Sequence, residues 1–165
     1  MSKQLRLAAL AALATCATIP AQAQRNEAAD RVAIHALLTA YGSTLDAGDF
    51  EGFGKLFGKS GVYVTGGREA KGPDAAANMR RVFAANPMGL PDPKFHIFFN
   101  EVVTFDGPDT AQATSMSFYV APDANNRPAP VLMARYEDQL VREDGHWVFA
   151  RRVVRSLIPA PRPAQ

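Results

Sequence analysis

Apolar side chains in the first third of the chain recur at every third or fourth position, which is the spacing of an amphipathic α-helix. This helix is expected to begin near Asn26 and to stop at Gly48, because glycine commonly ends helices. Its apolar side is expected to face the interior. The residues on that side are Ile34, Leu37, Leu38, Tyr41 and Leu45.

Two shorter helices and a short strand are predicted after the first helix. Aromatic and aliphatic residues favour a second helix over residues 50–57, which two glycines would then end. Residues 62–65 are predicted to form a short strand. A third helix is predicted to begin at Pro73, a residue suited to a first helical turn, and to continue over residues 75–85. A proline-rich loop over 86–93 leads into the second half of the chain.

The second half of the chain changes to a β-strand pattern. Runs rich in Val, Phe, Tyr and Thr cover residues 94–105, 111–120, 131–142 and 147–157, with turn residues between them. Strands in this order are expected to pair as an antiparallel meander. Helices first and a meander afterwards predict an α+β fold, with the helices packed on one face of a curved antiparallel sheet.

The amino-terminal segment has the pattern of an export signal. Lys3 and Arg6 form a basic start, residues 7–19 are apolar, and Ala21-Gln22-Ala23 fits a small-x-small cleavage site. The apolar stretch is too short and too rich in alanine for a good membrane span, so no stable membrane insertion is expected. We therefore predict a signal peptide over residues 1–23 and a periplasmic or secreted mature protein.

The mature chain is expected to hold one domain over residues 24–158, followed by a disordered tail rich in proline and alanine over 159–165. A lipoprotein is the alternative, since Leu13-Ala14-Thr15-Cys16 has the outline of a lipidation site. Thr15 is a poor residue before a modified cysteine, which counts against that alternative.

Cleavage after Ala23 changes the composition in ways that bear on function. It removes Cys16, the only cysteine, so the mature chain has no disulfide and no thiol nucleophile. It also removes two basic residues and no acidic one, which takes the formal net charge from +2 to 0 and leaves no footprint for nucleic acid. The chain has no glycine-rich phosphate loop, and its three histidines lack metal-ligand spacing, so we predict no cofactor and no metal.

Asp46 and His96 are the leading candidates for chemistry. Asp46 closes the first helix, and His96 lies in an apolar run that predicts a strand mostly buried on both faces. A carboxylate that fixes the tautomer of a buried imidazole and raises its basicity is a common way to build a general base. In the structural alternative, Asp46 orders the turn at Gly48 and His96 is a hydrogen-bonded core residue. His35 and His146 are expected to be non-catalytic.

The period of two along strands predicts which side chains line a pocket around His96. The expected inward faces are Phe98, Asn100 and Val102 on the first long strand, Ser115, Ser117 and Tyr119 on the second, and Ala134, Tyr136 and Asp138 on the third. The candidate substrate-binding residues are Tyr41, Tyr63, Asn100, Tyr119 and Tyr136. Tyrosine hydroxyls are suited to donate to a developing oxyanion, with core packing as the alternative role. A mostly aromatic and aliphatic cavity suits an uncharged cyclic or aromatic ligand.

The opposite face of the first long strand predicts self-association. Phe95, Ile97, Phe99 and Val103 form an apolar outer surface, part of which the helices are expected to cover. The remainder is more than a monomer usually exposes. We therefore expect a homodimer or homotrimer formed through the sheet.

Several short motifs follow one another along these predicted elements. They are Tyr41 with Leu45-Asp46-Ala47-Gly48-Asp49-Phe50, Lys71-Gly72-Pro73, His96 with Asn100, Arg135-Tyr136-Glu137-Asp138, and Arg142-Glu143-Asp144-Gly145-His146-Trp147. Each motif alone is weak, but in this order and spacing, over about residues 27–157, the chain resembles the SnoaL-like branch of the nuclear-transport-factor-two-like superfamily. The resemblance implies a cone of helices and a strongly bent sheet around a pocket.

The resemblance also implies roles for the two candidate residues. In two lyases of the superfamily, a dehydratase and a dehydrochlorinase, an aspartate late in the first helix and a histidine on the first long strand remove a proton from carbon while a leaving group departs. By motif position these residues correspond to Asp46 and His96. The other pocket groups of the dehydratase are not matched, because Ala121, Ala134 and Tyr136 stand at their places.

These expectations combine into a cofactor-independent lyase or isomerase in which His96 is the general base and Asp46 holds its Nδ1–H side. Loss of water, halide or a small carbonyl fragment, or a double-bond shift, all fit this chemistry. The alternative is a non-enzymatic periplasmic module that holds a hydrophobic small molecule in the same pocket. The enzyme requires Asp46 and His96 to lie within hydrogen-bond reach and to open to a cavity.

Overall fold

A long helix, α1 (Ala21–Asp46), is the first element of the computed structural model, which describes residues 21–158. The helix begins at Ala21 rather than near Asn26, and it ends just before Gly48. The apolar residues that the sequence pattern assigned to its inner side are all buried. Almost all of the predicted signal peptide, and the whole of the predicted tail over 159–165, lie outside the described residues.

A helix, a hairpin and another helix follow α1. They are α2 (Phe50–Lys55), β1 (Phe57–Thr65), β2 (Arg68–Lys71) and α3 (Gly72–Ala85). β1 pairs antiparallel with β2, and α3 packs against α2 and β1. The sequence pattern did not predict β2, because its four residues are mostly charged and exposed and show no apolar alternation.

The start of β1 differs from the prediction. The predicted helix over 50–57 ends at Lys55, and the strand expected over 62–65 already begins at Phe57. A Cβ atom at Gly61 would lie 2.5 Å from the carbonyl oxygen of Phe149. Glycine therefore allows two strand backbones to approach closely here, and it lies within a strand rather than in a loop.

Four long strands complete the sheet. They are β3 (Phe95–Gly107), β4 (Thr110–Pro122), β5 (Pro128–Glu143) and β6 (His146–Ile158). Each pairs antiparallel with the next, which confirms the predicted meander and the α+β class. β6 also pairs with β1, and this pair is parallel where the prediction had only antiparallel pairs. The result is a curled, unclosed mixed sheet of six strands in the order β2-β1-β6-β5-β4-β3.

A bulge in β3 reverses the side chains that follow it. The register against β4 shifts between Phe99 and Val102. Val102 is 60% exposed, whereas Val103 packs against the hydrophobic core. The predictions that Val102 faces inward with His96 and that Val103 faces outward are therefore wrong, because the bulge inserts an extra residue into the alternation.

The inward faces of the next two strands agree with the prediction. The buried residues there include Ser115, Ser117, Tyr119, Ala134, Tyr136 and Asp138. α1 lies across this face, and its first half is fixed by Asp30, whose Oδ1 accepts hydrogen bonds from Arg142 Nη2 at 2.6 Å and Trp147 Nε1 at 3.0 Å. Over residues 21–158, none of the helices has the length and apolar character needed to cross a bilayer.

Candidate functional site

Asp46 and His96 form a hydrogen-bonded pair where the end of α1 meets the start of β3. The Nδ1 atom of His96 lies 2.6 Å from Oδ1 of Asp46, and the backbone N–H of His96 donates to Oδ2 of Asp46 over 2.8 Å. Because an ionised carboxylate only accepts, Nδ1 carries the proton and Nε2 is the basic nitrogen. The side chains are 10% exposed for the histidine and 20% for the aspartate.

Residues other than Asp46 order the turn after α1, and the carboxylate of Asp46 binds His96 instead. Gly48 takes the left-handed conformation with φ +69°, and Asp49 caps α2 by accepting a hydrogen bond from the backbone of Gly52 at 2.8 Å. Both carboxylate oxygens of Asp46 are bound by His96. The alternative in which Asp46 orders the turn at Gly48 therefore does not describe this structure.

A glycine within α1 lets the helix approach β3 closely enough for this pair to form. A Cβ atom at Gly42 would lie 2.7 Å from Cε2 of Phe98 and 3.2 Å from Cβ of His96. A side chain at this position would therefore force the helix and the strand apart, or displace the Phe98 ring. The sequence feature that could have predicted this contact is the single glycine, Gly42, within the helical pattern.

Tyrosine rings surround the buried side of the histidine. The centroid of the His96 ring lies 4.6 Å from that of Tyr119 and 6.1 Å from that of Tyr41. The hydroxyls of Tyr41 and Tyr63 are hydrogen-bonded at 2.8 Å, and the rings of Tyr41 and Tyr136 lie 5.5 Å apart. The structure therefore brings four of the five predicted substrate-binding residues together beside the Asp46–His96 pair (the dyad). These four residues, the tyrosine cluster, are Tyr41, Tyr63, Tyr119 and Tyr136.

A buried arginine that the sequence analysis missed lies against these tyrosines. Arg152 is fully buried, and its guanidinium carbon lies 4.0 Å from the ring centroid of Tyr41 and 4.3 Å from that of Tyr136. Its counter-ion is Asp138, with 3.3 Å between Nη1 and Oδ2. The guanidinium therefore places a positive charge directly behind the tyrosine cluster.

An irregular register hides Arg152 from the sequence pattern. Counting by two from the buried Trp147 predicts that Arg151 faces inward, but the pairing of β5 with β6 shifts and Arg152 faces inward instead. The sequence feature that could have identified Arg152 is Asp138, which the strand pattern already predicted to face inward. A buried carboxylate needs a cation, and Arg152 stands opposite Asp138 in the register.

The opposite charges of Asp138 and Arg152 attract each other, but the two side chains are not oriented to form a hydrogen bond. Both carboxylate oxygens of Asp138 and all three guanidinium nitrogens of Arg152 are buried without a hydrogen-bond partner among the described residues. Such atoms are costly to bury and are rare in an ordinary core. The interior next to Tyr41 therefore has the character of a polar site.

Burial controls the protonation of this interior cluster. Burial raises the pKa of Asp138 to about 6, while the neighbouring Arg152 guanidinium opposes the rise. Burial also raises the pKa of Tyr136 to about 12, again against the effect of Arg152. The pKa values of Tyr41 and Tyr63 are raised by burial as well. These tyrosines are therefore protonated hydrogen-bond donors near neutral pH.

Asn100 lies apart from the other candidates. It is exposed with φ +53°, and its Nδ2 atom lies 3.9 Å from the sulfur of Met116. The prediction that Asn100 shares the face of His96 is wrong, because the register shift after Phe99 breaks the alternation along β3.

Two cavities are lined by neighbours of the dyad but not by the dyad itself. A cavity of about 520 Å³ runs between α3 and the β1–β2 hairpin and reaches Tyr63. A smaller cavity of about 260 Å³ lies between α1 and the bulged part of β3. Asp46 and His96 line neither of these two. The expected hydrogen bond between Asp46 and His96 is therefore present, but the pair does not open into either of these cavities, and the rings of Tyr41 and Tyr119 lie beside His96.

The residues of the site are suited to proton transfer. A histidine held by a carboxylate can accept a proton at Nε2, and neutral tyrosine hydroxyls can donate to a negatively charged oxygen. Within residues 21–158, no group of three or more His, Cys, Asp and Glu side chains is arranged so that it could hold a metal ion.

Sequence and structure comparisons match most of the described residues. The family model described as the SnoaL-like domain matches residues 26–153, a range that contains both members of the dyad and Arg152. No curated protein matches this chain.

Solved structures share the fold at low sequence identity. An NTF2-like protein with a cystatin-like fold from Novosphingobium aromaticivorans has a TM-score of 0.71 and 24% identity, over 87% of this chain and 92% of its own. A protein from the same species, named as a candidate scytalone dehydratase, has a TM-score of 0.67 and 22% identity, over 82% and 89% of the two chains. A type 2 hexachlorocyclohexane dehydrochlorinase has a TM-score of 0.68 and 17% identity, over 82% and 90%.

Proposed function

This chain belongs to the SnoaL-like domain family, and from that premise we propose that it is a cofactor-independent lyase or isomerase acting on a small apolar cyclic or aromatic substrate. The observation that carries the proposal is the 2.6 Å contact between Nδ1 of His96 and Oδ1 of Asp46. This contact leaves Nε2 of a largely buried imidazole as a base with a fixed orientation.

The proposed reaction begins with proton transfer from a substrate carbon to Nε2 of His96. The C–H electron pair then forms a carbon–carbon double bond while a neighbouring leaving group departs with its own electron pair. In an isomerase the same proton returns to a different carbon. Asp46 stabilises the imidazolium that forms, because its carboxylate accepts hydrogen bonds from both the Nδ1–H and the backbone N–H of His96.

The tyrosine cluster is proposed to stabilise negative charge on the substrate. Tyr41 and Tyr63 share one hydrogen bond, so one hydroxyl proton of the two is available to a carbonyl oxygen or a departing group. Arg152, 4.0 Å from the Tyr41 ring, makes proton donation by these hydroxyls more favourable through its charge. Arg152 therefore acts through Tyr41 as a positioning and polarising residue.

The names of two similar structures agree with this class of reaction. A dehydratase and a dehydrochlorinase both remove a proton and a leaving group from neighbouring carbons, and proteins bearing these two names share the fold. At 22% and 17% identity these proteins share the fold of this chain, and the proposed substrate is a class of compounds.

A non-enzymatic small-molecule binding module is the second candidate, and one observation favours it. The dyad lines neither the 520 Å³ cavity at Tyr63 nor the 260 Å³ cavity between α1 and β3. A pure binding module would use the 520 Å³ cavity, whose size lies within the usual range for ligand sites. Such a module would bind apolar compounds with equal affinity in wild type and in His96→Ala.

The deciding experiment is a turnover screen of cyclic and aromatic compounds that carry a hydroxyl, a halogen or a ring double bond next to an acidic carbon. The wild type and His96→Ala are compared, with His146→Ala as the matched control because His146 is exposed at the start of β6. The lyase or isomerase proposal expects turnover in the wild type and in His146→Ala but not in His96→Ala. Equal turnover in all three proteins would refute it.

We also propose that the protein is exported, with a mature chain that starts near Gln24, and that it forms a homodimer or homotrimer. The supporting features are the basic and apolar pattern of residues 1–23 and the apolar outer face of β3. Mass determination of the protein recovered from the periplasm tests the first proposal, and an intact amino terminus in the cytoplasm would contradict it.

A further inference from the structure

A second histidine–carboxylate pair joins α1 to β3, about three helical turns before the end of the helix. The Nδ1 atom of His35 lies 2.8 Å from Oε2 of Glu101. This pair lines the cavity of about 260 Å³ between the helix and the strand, and His35 is the more exposed of the two residues, with 68% of its side chain accessible. The side chains of this pair are therefore more exposed to solutes than those of Asp46 and His96.

A buried hydroxyl without a partner lies in the wall of the same cavity. Ser115 on β4 is almost fully buried, yet its Oγ atom has no hydrogen-bond partner among the described residues. An unsatisfied buried hydroxyl destabilises a protein, and a ligand that bonds to it recovers the loss. This hydroxyl is independent of the His35–Glu101 contact, and it points to a polar ligand.

The charge of the lining residues selects a cation. Glu101 is the only acidic residue among them and no lysine or arginine lines this cavity, while Leu38 and Phe98 supply apolar wall. His35 occupies only Oε2 of Glu101, which leaves Oε1 as an acceptor. An anionic ligand would be repelled by Glu101, whereas an ammonium group would form a charge-assisted hydrogen bond with it.

We propose that this cavity binds a small primary ammonium compound that also carries a hydroxyl group. The ammonium group donates to Glu101, which His35 holds in place, and the hydroxyl forms a hydrogen bond with Ser115. The volume of about 260 Å³ lies below the usual range for drug-sized ligands, so the ligand has only a few non-hydrogen atoms. The site is separate from the dyad and does not depend on the proposed reaction.

The test is a titration of the isotope-labelled protein with 2-aminoethanol, followed by the NMR shifts of backbone amides. Saturable shifts are expected for residues around His35, Glu101 and Ser115. Glu101→Gln is expected to weaken binding by about ten-fold to a hundred-fold, because it removes a charged hydrogen bond. Glu137→Gln is the matched control for net charge, since Glu137 lies on β5 outside this cavity and pairs with Arg155. This control is expected to bind like the wild type.

A second variant and a second probe test the hydroxyl contact. Ser115→Ala removes an unsatisfied group and is expected to fold normally. It should weaken the binding of 2-aminoethanol while leaving the binding of ethylamine, which has no hydroxyl, unchanged. Absence of saturable shifts up to high millimolar 2-aminoethanol would overturn the proposal. Equal binding by the wild type and Glu101→Gln, or equal binding of acetate and 2-aminoethanol, would also overturn it.

Discussion

At the scale of single residues, burial distinguishes the two histidine–carboxylate pairs that connect α1 to β3. Asp46 uses both oxygens to hold one histidine, and only a tenth of that histidine is exposed. His35 meets Glu101 through a single contact and is mostly solvated. A charge pair in a low-dielectric setting interacts more strongly than a solvated one. Asp46 therefore holds His96 in one orientation, whereas the contact between His35 and Glu101 is open to solvent.

Substitutions in the dyad are expected to remove activity without unfolding the protein. His96→Ala should reduce turnover by about 100-fold to 10,000-fold, because a positioned base contributes that much. Asp46→Asn should cause a similar loss, since an amide at this position can donate to Nδ1 and so favour the wrong tautomer. The double variant should lose no more than the worse single variant, because the residues act as one unit.

Kinetics on a compound found in the turnover screen, together with circular dichroism of each variant, check this prediction. Full activity in either single variant would contradict it. Losses that multiply in the double variant would show that the two residues contribute separately.

The buried Asp138 predicts how stability changes with pH. Its pKa of about 6 in the folded protein lies above the ordinary 3.8, because burial disfavours the charged form. The folded state therefore binds a proton between these values that the unfolded state does not bind. It follows that the Asp138 contribution to stability is largest below about pH 4, and that it decreases by up to about 3 kcal/mol as the pH rises to about 6.

Denaturant unfolding of the wild type and of Asp138→Val with Arg152→Met, measured between pH 4 and pH 7, checks this expectation. The double variant replaces both charges together, so neither is left buried alone. The difference in unfolding free energy between the two proteins should shift in favour of the double variant as the pH rises. A difference that stays constant across this range would contradict the assignment.

At the scale of elements, sequence periodicity correctly predicted the features that depend on the regular spacing of residues along a helix or a strand. The inner side of α1 and the inward faces of β4 and β5 follow the periods of helix and strand, and both were confirmed. The reversed faces after Phe99 and before Arg152 depend on bulges, which no periodic pattern contains. The parallel pairing of β1 with β6 depends on the curl of the whole sheet. The contact at Gly42 depends on how closely two elements pack, which the residue type suggests but does not determine.

Close packing at Gly42 is expected to control the dyad from a distance. Gly42→Ala places a Cβ atom against Phe98 and His96, which should destabilise the fold by about 1–3 kcal/mol through overpacking. The separation of α1 from β3 should also lengthen the Asp46–His96 contact and lower kcat more than it changes KM. Ser43→Ala is the matched control, because Ser43 is the exposed neighbour on the same helix.

Thermal unfolding and steady-state kinetics measure the two effects. Adding Phe98→Leu to Gly42→Ala makes room for the new methyl group, so it should restore part of the activity. An active and fully stable Gly42→Ala protein would contradict this prediction, because it would show that a methyl group fits between the helix and the strand.

At the scale of the whole molecule, the outer face of the sheet carries an apolar row that crosses four strands. Ile97, Phe118, Met133 and Ile158 are consecutive partners in the register from β3 to β6, and the rings of Phe99 and Phe118 lie 5.1 Å apart. Ile97 and Ile158 are each about half exposed. A contiguous apolar patch of this kind is typical of an interface.

Association through this face is the last prediction. Ile97→Lys places a charge in the middle of the apolar row, and burying it against a second copy is unfavourable, so dimers or trimers should dissociate at micromolar concentration. Val32→Lys is the matched control, because Val32 is an exposed aliphatic residue on α1 rather than on the sheet. Light scattering with analytical ultracentrifugation should find an oligomer for the wild type and for Val32→Lys, and a monomer for Ile97→Lys. A wild-type protein that is monomeric at micromolar concentration would refute the prediction. An Ile97→Lys oligomer of unchanged stability would place the interface on another surface.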